Sequence, residues 1–248
     1  MIILKSPEEI EKIRVAGRIV AEVFEVLKDW IRPGVTTRDI DRVAEEGILK
    51  RGGRPAFKGY RGFPCTLCVS VNEEVVHGIP SDRKLLEGDI LGVDMGAWLD
   101  GYYGDAAVSF PVGRVTDEAA RLLKITEASL YAGIEKARVG GRLSDISCAI
   151  QSCVEQAGYS VVREFVGHGI GQDLHEEPQI PNYGKPSRGP RLKAGMVLAI
   201  EPMVNAGAPE TKVLGDRWTA VTCDRSLSAH FEHTVAVTDQ GPRILTTL

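Results

Sequence analysis

The chain carries one passage twice, and each copy ends in a carboxylate. Gly88 is followed by Asp89-Ile90-Leu91-Gly92-Val93 and then Asp94; Gly195 is followed by Met196-Val197-Leu198-Ala199-Ile200 and then Glu201. The intervening residues are largely apolar, which is how a buried strand reads. Burying an unpaired carboxylate costs several kcal/mol or more. A buried strand that delivers an acid therefore needs a compensating cation, and a metal ion is the obvious one. Two copies of the device predict two halves facing one shared site.

Further matches keep the same order in both halves. Gly34, Asp39, Ile40 and Gly52 recur as Gly140, Asp145, Ile146 and Gly158, all at an offset of 106 residues. His77-Gly78-Ile79 is echoed by His168-Gly169-Ile170, and Asp105 and Glu232 each lie in a later strand-like run. The pattern is an internal duplication of one long unit, not a solenoid array. The halves run from about 1–111 and 112–248 within a single catalytic domain, since 248 residues are at the upper end of what one domain holds.

Helix and strand signals alternate. Ser6-Pro7-Glu8-Glu9 is a capping box with proline at the first helical position, and apolar residues from Ile10 to Leu27 carry a helical stripe to about Trp30. A second helix is predicted over 38–50, ended by Gly52-Gly53, with others over 117–136 and 143–157. Strands are predicted near 66–72, 89–98, 102–111, 161–166, 196–204, 218–222 and 231–238. Helices precede strands in both halves. That order predicts an α+β, or mixed α/β, architecture with helices on one face of a curved sheet.

A net charge of −4 argues against a dedicated nucleic-acid surface. No apolar run approaches the roughly 18 residues of a membrane span, and the first residues lack the signature of a secretory signal. The cytoplasm is the expected compartment. Five cysteines are an odd number without disulfide spacing. Cys65 and Cys68 form a lone CxxC with no second pair to complete a zinc site, so reduced thiols in or near the core are expected.

Asp100-Gly101 is a strong signal for a two-residue hairpin. Folding about it pairs Leu99 with Tyr102 and Gly96 with Asp105, which makes Asp94 and Asp105 diagonal neighbours on one face. Such neighbours lie about 7–8 Å apart at the backbone, within reach of a shared cation. With His168, Glu201 and Glu232 the set becomes four carboxylates and one imidazole. These are hard, oxygen-rich ligands suited to Mn(II), Fe(II) or Co(II), and unlike a structural zinc site. A pair of divalent ions neutralises such a set, acidifies water and polarises a carbonyl oxygen, which points to hydrolysis.

The runs EEVVHGIP, VDMG followed by DGYYGDAAVSF, VGHGIGQDLHEEPQIPNY, GMVLAIEPM and FEHTVAV resemble the signature blocks of the methionine aminopeptidase family. The resemblance covers nearly the whole chain and is to the bacterial type I short form, without the large insertion between Glu201 and Glu232 of type II. It implies the pita-bread fold, whose internal pseudo-twofold agrees with the duplication. It also implies a metal-dependent hydrolase that removes the initiator methionine from nascent chains when the next residue is small. The implied cofactors are two divalent ions, Co, Mn, Fe or Zn. Asp94 and Asp105 are implied to hold the first and His168 and Glu201 the second, with Asp105 and Glu232 bridging. His77 is implied to lie near the scissile amide and His175 near the substrate carbonyl, with Glu201 as the proton shuttle. The implied partners are N-terminal methionyl peptides, with transient ribosome contact, no membrane and a monomeric chain.

The matching methionine-pocket positions are Phe57, Tyr60, Phe63, Cys68, Leu174 and Trp218. Many type I members carry cysteine, tyrosine and phenylalanine where this chain has Phe57, Phe63 and Leu174, but the pocket stays bulky and apolar. Alternation turns His233 away from Glu232, whereas His230 shares Glu232's face and is expected at the site rim. Two other functions remain open. A proline-specific exopeptidase of the same fold shares the metal set but usually carries an additional N-terminal domain. A non-catalytic binding protein on this scaffold would have lost ligands, and none is missing here. The run Gly167–Gly171 lacks the G-x-G-x-x-G spacing of a dinucleotide loop.

Overall fold

The computed structural model describes every residue from Met1 to Leu248. Four helices, α1 (Pro7–Lys28), α2 (Thr37–Lys50), α3 (Asp117–Ile134) and α4 (Leu143–Gln156), back a curled antiparallel sheet of nine strands. The spine of that sheet runs through Ile90–Leu99, Tyr102–Pro111, Glu232–Thr238, Val197–Ile200 and Gly167–Gly169. Leu67–Val71 pairs with Ile90–Leu99, and Gly241–Ile244 with Glu232–Thr238. The two halves of the chain meet where Glu232 and His233 pair with Ala107 and Ala106. Two small three-stranded sheets flank this body.

The duplication is visible hydrogen bond by hydrogen bond. Gly34 donates to the Leu85 carbonyl at 2.8 Å, and Gly140 donates to Leu192 at 2.9 Å. Gly88 donates to Val112 at 2.9 Å; its counterpart Gly195 donates to Val237 at 3.0 Å. Gly34, Gly140, Gly88 and Gly195 all have φ near +90°, a conformation open to glycine at little cost. Asp39 and Asp145 occupy the third helical position of α2 and α4, and each accepts from the backbone N–H of its cap residue. The repeated Gly…Asp-Ile signature is thus a turn glycine plus a helix cap, used twice.

Alternation along the strands sends one face to the helices and the other to the site. Leu91, Val93, Met95 and Ala97 pack with Val20, Val23 and Leu27 of α1 and Ile40 and Ile48 of α2. In the second half Leu198, Ile200, Val235 and Val237 pack with Leu122 and Leu130 of α3 and Ile146 and Ile150 of α4. Each such side chain contributes about 1.5–3 kcal/mol when fully buried, so both halves are firmly backed.

Two expected strands are broken. The strand predicted over 196–204 splits into Val197–Ile200 and Met203–Asn205, because Pro202 has no N–H to extend the ladder. The strand predicted over 161–166 is Ser160–Val161 alone; Arg163 and Glu164 are exposed, and the chain joins the main sheet at Gly167–Gly169. Both breaks fall next to the acids and imidazole that the duplication singled out.

Helix α1 lies close against the Tyr102–Pro111 strand because two glycines face each other there. A Cβ on Gly104 would collide with the backbone of Gly17 and Ala16. Gly104→Ala is expected to cost about 1–3 kcal/mol through overpacking against backbone that cannot rotate away. Urea denaturation measures it, and an unchanged midpoint contradicts the close approach.

Candidate metal centre and substrate pocket

One face of the central sheet collects the acids. Asp100 and Gly101 have φ of 48° and 89°, as a tight hairpin turn requires. Leu99 pairs with Tyr102, Gly96 with Asp105 and Asp94 with Ala107. Cross-strand partners share a face, so Cys68, Asp94, Ala107 and Glu232 form one row across four strands. Thr234, Ala199 and His168 form the next row. Asp105, two residues before Ala107, joins this face, with its backbone tied to Thr234 by reciprocal hydrogen bonds of 3.1 and 2.8 Å. Glu201 follows the Val197–Ile200 strand at the break made by Pro202, and its carbonyl accepts from Asn182 at 3.0 Å.

The donor atoms converge. Single ligand atoms of Asp105, His168 and Glu232 all lie within 4.8 Å of one another. His168 Nε2 is 4.0 Å from Asp105 Oδ2 and 3.6 Å from Glu201 Oε1. His168 Nδ1 lies 2.9 Å from the Gly169 carbonyl; donating there leaves the Nε2 lone pair free toward the acids. Asp94 Oδ1, Asp105 Oδ1 and Glu232 Oε1 are buried without any hydrogen-bond partner. Buried oxygens without donors are what a cation satisfies. The residues present fit divalent metal on both counts, donor chemistry and orphaned atoms.

Electrostatics say the same. Burial, reinforced by the neighbouring acids, pushes the Asp94 and Glu232 carboxyls well above the usual range. Burial and then Asp105 do the same to Glu201. Asp105 itself is raised to about 7, chiefly by burial. His168 is lowered by burial to about 4, so its imidazole is neutral at physiological pH, as a metal ligand must be.

Around this centre one cavity is lined by the five acid and imidazole residues, by His77 and His175, and by all six expected pocket positions. Phe57, Phe63, Cys68 and Leu174 form a buried apolar wall with Tyr60 and Trp218 packed against it. Phe63 meets Trp218 edge-on at 5.1 Å between centroids. His77 is half-buried with φ of 61°, a left-handed conformation that costs free energy in a non-glycine residue. The next residue explains how it is held: any Cβ on Gly78 would strike the Val69 carbonyl, as one on Gly169 would strike that of Glu177. The two HG pairs are therefore places where one backbone passes against another. His175 lies 2.9 Å from the Tyr60 hydroxyl through Nδ1 and 4.2 Å from the His168 ring. It is solvent-exposed on one side and enclosed on the other, and that enclosure, with His168 and Arg61 beside it, lowers its pKa.

Three features escaped the sequence reading. Arg61 also lines the cavity, but a lone arginine in a Gly59–Gly62 turn reads as solvated. Lys5 is buried and pairs with Glu176, whose other oxygen accepts from the Gln172 and Asp173 backbone. This pair pins the loop that carries Leu174 and His175, across a separation no local pattern reveals. His230 was expected at the rim; it is instead 4% exposed, behind Glu201, with Nε2 3.5 Å from Glu201 Oε2. His233 points away, its Nδ1 2.8 Å from Thr246 Oγ1.

A model of metallopeptidase family M24 matches residues 11–239. The chain belongs to that family. It is 58% identical over 246 residues to methionine aminopeptidase 1 of Bacillus subtilis, covering 99% of each chain. The structure superposes on that of a methionine aminopeptidase from Thermotoga maritima with a TM-score of 0.98 at 48% identity, covering all of both chains. A prolidase from Pyrococcus furiosus shares the fold at a TM-score of 0.81 and 24% identity, and this chain spans 66% of it. The pita-bread fold of the family is the curled sheet and four helices described above.

The raised carboxyls give the metal-free protein a defined pH response. Its folded state holds protons on Asp94, Asp105, Glu201 and Glu232 that the unfolded chain has already lost, so stability falls as pH rises toward the folded pKa values. The five histidines are all lowered and act oppositely, through the range where their unfolded forms titrate, centred on about 6.5. Between about pH 7.5 and 8.5 the carboxylates dominate, because the unfolded histidines have by then lost nearly all of their protons. The melting temperature of chelator-treated protein should fall across that window, and saturating Mn(II) should raise it most at the alkaline end. A flat melting temperature without metal contradicts the assignment.

Proposed function

We propose that this chain is a dinuclear metalloaminopeptidase that removes an N-terminal methionine when the second residue is small. The observation that carries the reading is the floor of the apolar cavity: four carboxylates and His168 lie directly beneath a pocket walled by Phe57, Phe63, Cys68, Leu174 and Trp218. A methionine side chain fits such a wall, since its thioether is held by packing and by sulfur–aromatic contacts. The family membership and the full-length similarity to methionine aminopeptidases support the same substrate.

Asp94 and Asp105 would hold one ion, His168 and Glu201 the other, with Asp105 and Glu232 shared between them. When bound, the ions polarise the scissile carbonyl and lower the pKa of water. The remaining steps belong to the side chains. Glu201 accepts the proton of the attacking water and passes it to the leaving nitrogen. Donation from the Tyr60 hydroxyl to His175 Nδ1 leaves Nε2–H free to hydrogen-bond the carbonyl oxygen as charge develops there. His77, neutral because burial lowers its pKa, does the same beside the scissile amide. The five cysteines are all free thiols, which suits a reducing cytoplasm where nascent chains are met at the ribosome. No observation favours the proline-specific alternative.

Peptidase assays on Met-Ala-Ser and Ala-Pro peptides test the reading. Cleavage of the methionyl peptide, lost on chelation and restored by Mn(II), is expected; cleavage of Ala-Pro in its place overturns it. Glu201→Gln should lower kcat by about 10²–10⁴ with little change in KM, as removal of a proton shuttle does. Metal content must be measured alongside, and a fully metallated variant with near-normal kcat rules out the shuttle.

A further inference from the structure

Within the cavity that holds the acids, one side chain carries a fixed positive charge, and the proposed reaction gives it no task. Arg61 lines the same cavity as His175, Tyr60 and Glu201, yet it is solvent-exposed, so it stands at the open end. Its guanidinium takes part in none of the chain's ion pairs, and it is the one arginine among the side chains that line the cavity. Nor does it donate to any carbonyl; it lies over the Tyr60 ring, 5.2 Å from the centroid.

The turn that presents Arg61 is rigid. Gly59 and Gly62 have φ of 87° and 89°, and Arg61 itself has φ of 49°. Gly59 donates to the Phe63 carbonyl at 2.7 Å, Tyr60 to Phe57 at 2.9 Å and Phe63 to Tyr60 at 2.9 Å. Tyr60 is then locked to His175 by its hydroxyl contact and by ring stacking at 5.3 Å. A charge held this way, on an aromatic platform and with all five donors open, is built to meet something outside the fold.

We propose that Arg61 is a specificity-determining residue that reads the peptide downstream of the small second residue and favours an acidic side chain there. The proposal rests on the aminopeptidase reading and deepens it. A peptide whose amino end lies at the acids and whose methionine fills the apolar wall must leave the cavity through its open end. Its third and fourth residues then pass the guanidinium. A carboxylate there gains a charge-assisted and potentially bidentate partner, whereas a lysine meets a like charge. Since the site is partly exposed, the effect is that of a surface ion pair and is screened by salt.

The test compares kcat/KM for Met-Ala-Asp-Ser, Met-Ala-Ser-Ser and Met-Ala-Lys-Ser with the Mn(II)-loaded enzyme. The aspartyl peptide is expected to exceed the lysyl peptide by about three- to tenfold, the size of an exposed pair gained and a repulsion avoided. The ratio should shrink in high salt, fall toward one in Arg61→Gln and invert in Arg61→Glu. Each ratio is internal to one protein preparation, so loss of folded enzyme does not imitate it. Equal rates for all three peptides, or a ratio indifferent to both substitutions, overturn the role of Arg61 while leaving the aminopeptidase reading intact. Failure to cleave any of the three overturns both.

Discussion

Crowding Asp94, Asp105, Glu201 and Glu232 onto one face of one sheet is the constraint that the rest of the molecule serves. Burial and mutual repulsion push their carboxyls upward together, and three of their oxygens have no donor anywhere in the protein. A chain with this arrangement and no cation is folded against its own charge distribution. Divalent ions turn the same arrangement from a cost into a binding site. The backing of the sheet by four helices on its other face is what keeps the acids together until the ions arrive.

Duplication is how the fold builds such a face. Each half supplies a turn glycine, a capped helix and a strand that runs from glycine to acid, and the halves join edge to edge through Glu232 and Ala107. The copies then diverge where chemistry demands it. The first half ends its strand in a tight hairpin, which places two aspartates as diagonal neighbours. The second breaks its strand at Pro202, which frees Glu201 from the ladder and lets it face His168. The same comparison explains the two HG pairs: both glycines lie against a neighbouring carbonyl, but only His168 turns its ring to the acids, while His77 stands apart against Phe165.

Much of this was legible in the sequence because it is local or periodic. The Ser6–Glu9 capping box, the Asp100-Gly101 hairpin with its register and the apolar strands ending in acids all depend on residues close in the chain. The misses share a different cause. The break at Arg163 comes from neighbouring strands that claim the chain on either side, and short strands such as Glu176–Ile180 carry too few residues to show a period. Lys5 and Glu176 pair across 171 positions, so neither residue alone looks buried. Arg61 stands in a polar glycine turn, where a charge ordinarily means solvent. His230 was placed on the correct face but too near the surface, because alternation gives a side and not a depth.

Calorimetric titration of Mn(II) into the metal-free protein at pH 7.5, repeated in buffers of different ionisation enthalpy, tests the central claim most directly. Two ions per chain are expected, with an observed heat that changes with buffer, because carboxyls raised by burial give up protons as the ions bind. Binding of a single ion, with a heat independent of the buffer, would contradict it.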